Sequence, residues 1–544
     1  MWAASIASAA LMELPFPLAG PLPVWRTAIA WIALLPLLWA VLTPLCAHRP
    51  GSLRRAFLLA YLCGFLWYAG NCYWVRDTMM RYGDMPPLAP TLLLIGFSLV
   101  LGLYFGFFGV AIALVRRSTG STRLALASAP IFWTAAELAA SRITSVPWDQ
   151  FGYSQVDNLL LTGFAPWTGV YGISFLLVAV NALLAGGLLL EQVGKRMQWG
   201  ICGLFLAVVG SAGVLLPAPQ PVATATASLI QPNLDVGLDN AWQGAEWGRH
   251  MAEFERLAKD TCRTFIAGIP QTDAPVMTPR CNASSGAPQP GLVVWPESPA
   301  PFMEADERFR QSMAQIARDT QASLVVGNIG MDDSADTSLL RYYNSALIFG
   351  LDGARLGRYD KIHLVPFGEY IPFKNLLFFA RKLTGRVSEF TRGSERNVFN
   401  LGGHQYGVFI CYESVFADEV RHFAKNGAEV LVNISDDGWY GDTSAPWQHL
   451  NMARMRAIEN HRWILRDTNN GVTAVIDPYG RVRQSIPRHA VDALPARYGF
   501  ESRITFYAAH GDLFAWACAI LALGTVILAL AAERRHRVHI KVRS

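Results

Sequence analysis

No feature constrains this chain more than its long uncharged runs. Residues 27–45, 56–74, 91–115, 170–190, 199–216 and 513–532 contain no Asp, Glu, Lys or Arg, and 124–140 contains only Glu137. A helix needs about 20 mostly apolar residues to cross ~30 Å of hydrocarbon, so each run is a candidate membrane span. Residues 1–18 form a weaker eighth candidate, because they include Glu13, Pro15 and Pro17. That stretch lacks the basic leader of a cleaved signal peptide. The sequence therefore predicts about eight spans. Seven precede a long stretch of mixed polarity, and one follows it. Charged residues make up only 16% of the 544 residues, against roughly 25% in an average soluble domain. The shortfall is concentrated in the spans.

Lys and Arg in the short loops predict the orientation. Arg49, Arg54 and Arg55 follow the second span, Arg116, Arg117 and Arg123 the fourth, and Lys195 and Arg196 the sixth. The tail after the last span carries Arg534, Arg535, Arg537, Lys541 and Arg543. These cations share one side, which the positive-inside rule makes cytoplasmic. The expected domains are 1–217 (transmembrane helices 1–7), 218–505 (an outer domain, periplasmic in a Gram-negative cell) and 506–544 (transmembrane helix 8 and a basic cytoplasmic tail). The net charge of +5 lies largely in that tail, so it reads as a topology signal and not as a nucleic-acid surface.

Between about 222 and 503 short apolar strands alternate with helical stretches. "ATASLIQPN" (225–233), "GLVVWPES" (291–298), "ASLVVGN" (322–328), "NSALIFG" (344–350), "GVFICYES" (407–414), "EVLVNIS" (429–435) and "GVTAVIDP" (471–478) read as strands. Residues 304–320 and 444–461 have helical spacing, and the whole is an α/β pattern of helices packed on sheets. Three short segments carry the residues that matter. Cys411 follows an apolar run, Glu297 follows the turn-forming Trp295-Pro296, and Lys361 lies in "RYDKIHLVPFGEY". A free thiol is only a few per cent thiolate at neutral pH and needs a base; a carboxylate can supply one, and an ammonium can meet a developing oxyanion. Taken singly, each has a blander reading: a core thiol, a solvated loop carboxylate, a surface lysine. The set of three in this setting is the sharper signal.

These residues and their surroundings resemble the nitrilase (carbon–nitrogen hydrolase) superfamily, in its apolipoprotein N-acyltransferase branch. The resemblance rests on "WPES", "KIHLVPFGEY" and "CYES", and on "PWDQFGYSQ" (147–155), "LIQPN" (229–233) and "YNSA" (343–346). It continues through "NISDDGWYGDTSAPWQHLNMARMRAIEN" (433–460) and "RDTNNGVTAVIDPYG" (466–480). It implies an αββα-sandwich domain joined to an α-helical transmembrane bundle. It also implies a ping-pong transfer of an acyl chain from a phospholipid, usually phosphatidylethanolamine, through a thioester on Cys411. The acceptor would be the α-amine of the diacylglyceryl-cysteine of an apolipoprotein. By the same resemblance Glu297 is the base, Cys411 the nucleophile and Lys361 the oxyanion stabiliser. Glu369 and Glu413 match supporting carboxylates, Asn344 and Trp242 match positions near the site, and the Tyr412 backbone N–H is a candidate second oxyanion donor. A bacterial inner-membrane location and a monomer are expected.

Two departures from the family pattern stand out. The acid–base pairing in the fifth span is shifted to Glu137 and Arg142, and 243–290 is a Pro-, Gly- and Ser-rich insertion. That insertion contains Cys262 and Cys281, which an oxidising compartment would pair. Residues 370–393, with Phe378 and Phe379 beside Lys374, Arg381 and Lys382, read either as a buried helix or as an interfacial lid. No cofactor and no metal are expected, since the 11 histidines form no ligand-spaced cluster. Two rivals remain. A membrane-anchored amidase or nitrilase would use the same three residues with water as second nucleophile. A transporter or receptor would need more polar residues within its spans than Glu137, Asn71 and Asn181.

Overall fold

The computed structural model describes residues 1–43, 52–83, 85–234, 245–259, 290–297, 302–332, 340–370 and 390–543. Trp242, Cys46, the Cys262–Cys281 pair and most of the insertion and of the expected lid lie outside these residues. The chain divides into two compact units: 1–77, 86–218 and 510–544 form one, and 78–85 with 219–509 form the other.

The first unit is helical. Among the described residues, six helices are long and apolar enough to cross a membrane: Val24–Leu42, Leu88–Thr119, Thr122–Ile143, Val170–Leu189, Val193–Leu215 and Leu513–Arg535. A seventh span results if Leu53–Asn71 and Trp74–Tyr82, bent by 43° at their junction, count as one. The remaining candidate, Trp2–Glu13, is a helix of 12 residues, which covers only about 18 Å at 1.5 Å per residue. Several polar groups inside this unit are matched to one another, as a medium without water favours. Val24–Leu42 changes from 3₁₀ to α winding near Leu34. There Asn181 accepts from the Leu34 N–H and donates to the Ala30 carbonyl, both at 2.9 Å. Glu137 accepts from Trp133 Nε1 and from the Phe151 N–H, both at 2.8 Å. Arg142 instead pairs with Asp512. The shifted acid and base in the fifth span are thus neutralised by different partners.

The second unit contains two six-stranded sheets. Strands β1 (Ala225–Gln231), β2 (Leu292–Trp295), β3 (Ser323–Met331), β4 (Tyr342–Phe349), β5 (Arg355–Asp360) and β12 (Asp492–Tyr498) form the first, in the order β12-β1-β2-β3-β4-β5. Strands β6 (Val398–Leu401), β7 (His404–Ile410), β8 (Val430–Ser435), β9 (Trp463–Thr468), β10 (Ala474–Ile476) and β11 (Val482–Ser485) form the second, in the order β11-β10-β9-β8-β7-β6. Alternation along the strands builds the layers. Leu229, Val294, Val325 and Ile348 face the second sheet in one apolar cluster with Val408, Ile410, Val432 and Leu465. Their neighbours Ile230, Val293, Trp295, Leu324 and Leu347 face outward, against helices Ala245–Lys259 and Glu307–Thr320. Helices Ala417–Lys425 and Ala445–Asn460 belong to the other sheet's side. The order is αββα, as expected.

All seven strand segments read from the sequence are strands. Five others escaped that reading. Four of these, β5, β6, β11 and β12, are the edges of the two sheets, where one side of the backbone is unpaired and polar residues break the apolar signal. The fifth, β9, is fully buried although it contains Arg466 and Asp467.

Strand β7 leads directly into Cys411, and its placement depends on Gly407. A Cβ there would lie 2.7 Å from Phe423 Cβ and 3.1 Å from Ala428 Cβ. Gly407→Ala should therefore overpack the strand–helix contact and destabilise the second unit by about 1–3 kcal/mol. The measurement is a lowered melting temperature.

Candidate active site

The functional side chains converge just beyond the strand ends, where open α/β sheets ordinarily place their ligand sites. Glu297 follows β2, Lys361 follows β5, Cys411 follows β7 and Asp436 follows β8, while Asn344 lies within β4. At the centre is a buried charge set. Lys361 Nζ donates to Glu297 Oε1 at 2.9 Å and to Glu369 Oε1 at 3.0 Å. The Asn344 side-chain amide donates to the same two oxygens at 2.7 and 2.6 Å. The Asp436 N–H holds Glu297 Oε2 at 2.9 Å, and the Val365 N–H holds Glu369 Oε2 at 2.7 Å. Lys361 is 1% exposed and Glu297 6%, so these charges have exchanged water for one another.

Burial alone would push Lys361 down and Glu297 up. The opposite charges outweigh it in both cases. Glu297 and Glu369 hold the Lys361 ammonium well above its ordinary range, and Lys361, Asn344 and the Cys411 thiol keep Glu297 below the usual carboxylate range. The thiol is pushed the other way. Burial and then the Glu297 charge raise Cys411 well above a free thiol, with Lys361 acting against them. The resting site therefore holds a protonated thiol beside a carboxylate.

Cys411 starts a short 3₁₀ turn with φ +50°, a left-handed conformation that residues other than Gly rarely adopt. Two interactions hold it there. His449 lies 3.0 Å from the Cys411 carbonyl through Nε2. A carbonyl only accepts, so we assign the proton to Nε2. Nδ1 then accepts from Arg466 at 3.0 Å. Nδ1 also stands 2.9 Å from Asp437, a contact that would suit an imidazolium, but burial and the Arg466 charge lower His449 and keep it neutral. Burial would raise Asp437, and the Arg466 guanidinium at 2.7 Å holds it far below its ordinary value.

Glu413 also anchors the turn. Its Oε2 accepts from the Ile410 N–H at 2.7 Å, and its Oε1 accepts from the Ile362 N–H at 2.6 Å. The Tyr359 hydroxyl reaches both oxygens at 2.8 and 2.9 Å. Glu413 thus ties the chain after β5 to the chain before Cys411. Glu297, Lys361, Glu369 and Asn344 share direct bonds, the Cys411 thiol joins them through Glu297, and Glu413 supports from behind. Tyr412 flanks Cys411 within the turn, and Trp242 lies outside the described residues. Among the described residues no group of His, Cys, Asp and Glu could hold a metal.

The sequence reading gave no role to Asp436, Asp437, His449 or Arg466. A signal was present: charged residues in fully buried apolar strands, as in "WILRDT", persist only with partners.

Comparison with known families agrees with this architecture. Residues 8–183 match the apolipoprotein N-acyltransferase N-terminal domain, and residues 279–490 match the carbon–nitrogen hydrolase family. A Geobacter metallireducens apolipoprotein N-acyltransferase is 32% identical, across 98% of this chain and 96% of that protein. The chain belongs to the apolipoprotein N-acyltransferase family. A Pseudomonas putida apolipoprotein N-acyltransferase is 31% identical over 86% of this chain and 85% of its own length. A solved Saccharomyces cerevisiae protein of branch 10 of the nitrilase superfamily is also similar, at 17% identity and TM-score 0.36, over 52% of this chain and 93% of its own. As a member of the family the protein is an acyltransferase and a multi-pass membrane protein. That supports transfer over the membrane-anchored hydrolase.

Asp436 provides a test of the site's electrostatics. Burial and then the Glu297 charge push its carboxyl up to about 8. Between the ordinary carboxylate range and pH 8 the folded state holds a proton that the unfolded state has lost, so stability falls as pH rises through that window. Asp436→Asn removes this dependence. Its melting temperature should gain on the parent steadily between pH 5 and 8 in thermal unfolding, and a constant difference would refute the assignment.

Proposed function

We propose that the protein acylates the N-terminal amine of diacylglyceryl-apolipoproteins, with Cys411 as nucleophile, Glu297 as general base and Lys361 as oxyanion stabiliser. The observation that carries this reading is the thiol–carboxylate–ammonium arrangement of Cys411, Glu297 and Lys361. Its donor is a phospholipid, with phosphatidylethanolamine the expected species. Because the thiol is held protonated, attack on the ester carbonyl and transfer of the thiol proton to Glu297 occur together. The new C–S bond puts negative charge on the carbonyl oxygen, which the Lys361 ammonium opposes. One such donor in a dry site is worth about 3–4 kcal/mol. Collapse breaks the C–O bond, and Glu297 returns the proton to the departing lysophospholipid alkoxide. The apolipoprotein amine then attacks the thioester, gives a proton to Glu297 and releases the sulfur, which regains that proton. Water must be excluded while the thioester waits.

The basic loops motivate placing residues 218–505 on the periplasmic side of an inner membrane, with 1–217 and 506–544 supplying the spans. Leu351 and Thr119 are both exposed and lie on opposite sides under this assignment. In intact spheroplasts a membrane-impermeant thiol reagent should label Leu351→Cys and not Thr119→Cys. The reverse pattern would overturn the orientation.

Three variants test the chemistry. Cys411→Ser keeps the charge set intact and should fold, yet an alkoxide is far harder to form, so N-acylation should fall by at least about a thousandfold. Glu297→Gln and Lys361→Ala should lose comparable activity, and the double variants should be no worse, because the groups act as one unit. Mass spectrometry of an acceptor lipopeptide reads the product. Intact-mass analysis should show the acyl adduct on Cys411 in the parent enzyme alone.

A further inference from the structure

The active-site loop has a second anchor, which comes from a distant part of the chain. Residues 78–85 are flanked in sequence by the helical unit, yet they belong to the same compact unit as 219–509. There the Tyr82 hydroxyl donates to the Gly438 carbonyl at 2.6 Å. The Tyr82 ring stands edge-on to Trp439, with centroids 5.2 Å apart at 66°. Arg81 lies against Gly441, whose φ is +55°, and a Cβ added there would come within 2.5 Å of the guanidinium. Trp439 is 47% exposed while Asp437, Gly438 and Tyr440 around it are buried. Tyr82 thus packs the one side chain of this turn that the interior does not enclose.

What the turn carries makes this anchoring consequential. Gly438 is held from both sides: its carbonyl by Tyr82, and its N–H by Asp436 Oδ1 at 3.0 Å. The Asp436 N–H in turn donates to Glu297 Oε2 at 2.9 Å. We infer that Tyr82, with Arg81 beside it, is a positioning residue for acyl transfer, fixing the 436–441 turn so that the Asp436 N–H stays on Glu297. This inference rests on the proposed role of Glu297 as base. Glu297 also faces Lys361, Cys411, Tyr440 and the Asp436 carboxyl, and through Lys361 it is linked to Glu369. Tyr82 acts on this group through the turn. Loss of the N–H bond removes an interaction that favours the ionised carboxylate, so the Glu297 pKa rises.

The test uses the full-length protein with phosphatidylethanolamine vesicles, following acyl loading of Cys411 by intact mass in a single turnover across pH. Tyr82→Ala should load about 10- to 100-fold more slowly, as expected for a misplaced catalytic group, and the acid limb of its rate profile should move to higher pH. Tyr82→Phe keeps the ring against Trp439 and should recover part of both changes. A parent-like rate and acid limb in Tyr82→Ala would overturn the inference. So would a slower rate with an unmoved limb, which would mark a merely structural contact. Glu297→Gln separates the two levels. If it loads like the parent, the assignment of the base fails. If it is silent while Tyr82→Ala behaves like the parent, only the positioning role fails.

Discussion

Everything at the site depends on keeping one ammonium and its carboxylates out of water. An isolated buried charge is costly, and a buried pair is tolerated only when its remaining hydrogen-bonding positions are filled. Around Lys361 that condition is met by Asn344, by the Asp436 and Val365 N–H groups and by the two carboxylates themselves. The partners come from four places: strand β4, the chain after β2, the loop after β5 and the chain after β8. The charge set can therefore form only when β2, β4, β5 and β8 are all in register. The geometry of the candidate site and folding of the second unit are in that sense one requirement, because removing any partner leaves a buried group without compensation.

The same logic explains two residues that do not touch the thiol. Glu413 receives backbone donors from both sides of the sandwich, Ile362 after β5 and Ile410 at the end of β7. It fixes how far Lys361 stands from Cys411. Asp437 acts at greater remove: it neutralises Arg466, and Arg466 donates to His449, whose other nitrogen holds the Cys411 carbonyl. The left-handed backbone at Cys411 costs of order 1–3 kcal/mol, and this network over-determines it. The strain is stored where the sulfur must project from the end of a strand.

The sandwich was legible in the sequence where a strand is buried on both faces and carries no charge, since continuous Val, Ile and Leu runs such as "GLVVW" and "EVLVN" admit few other readings, whereas β9, buried but holding Arg466 and Asp467, was missed. It was not legible at the sheet edges. Strand β5 reads "RLGRYD" and β12 reads "DALPARY", patterns that a loop could share. Of the candidate site, Glu297, Lys361 and Cys411 were singled out through their motifs. Arg466 and Asp437 were not, because a buried ion pair declares itself only when both partners are known to be inside. The Tyr82 contact spans 356 positions, and no local pattern could have revealed it. Six of the apolar runs lie within about six residues of the ends of helices long enough to span, but the 3₁₀ winding near Asn181 could not be read, because its cause lies on another helix.

The charge of the site also bears on the order of its two half-reactions under the proposed assignment. One ammonium and two carboxylates leave a formal charge of −1 around a neutral thiol. A phospholipid ester carbonyl is uncharged at the reacting atom, so this excess does nothing for its approach, and Lys361 matters only once the oxygen becomes negative. The acceptor differs. An N-terminal amine has a pKa near 7.7–8.0 and is mostly cationic at neutral pH. A site of net negative charge attracts that cation, which sheds one proton to solvent before the amine attacks and leaves Glu297 free to take the second. Asp436 remains uncharged below about pH 8, so it adds no second anion that would over-stabilise the ammonium. Water gains nothing from this field. The electrostatics that hold Lys361 in place thus also draw the acceptor's ammonium to the site, an attraction that neutral water does not share.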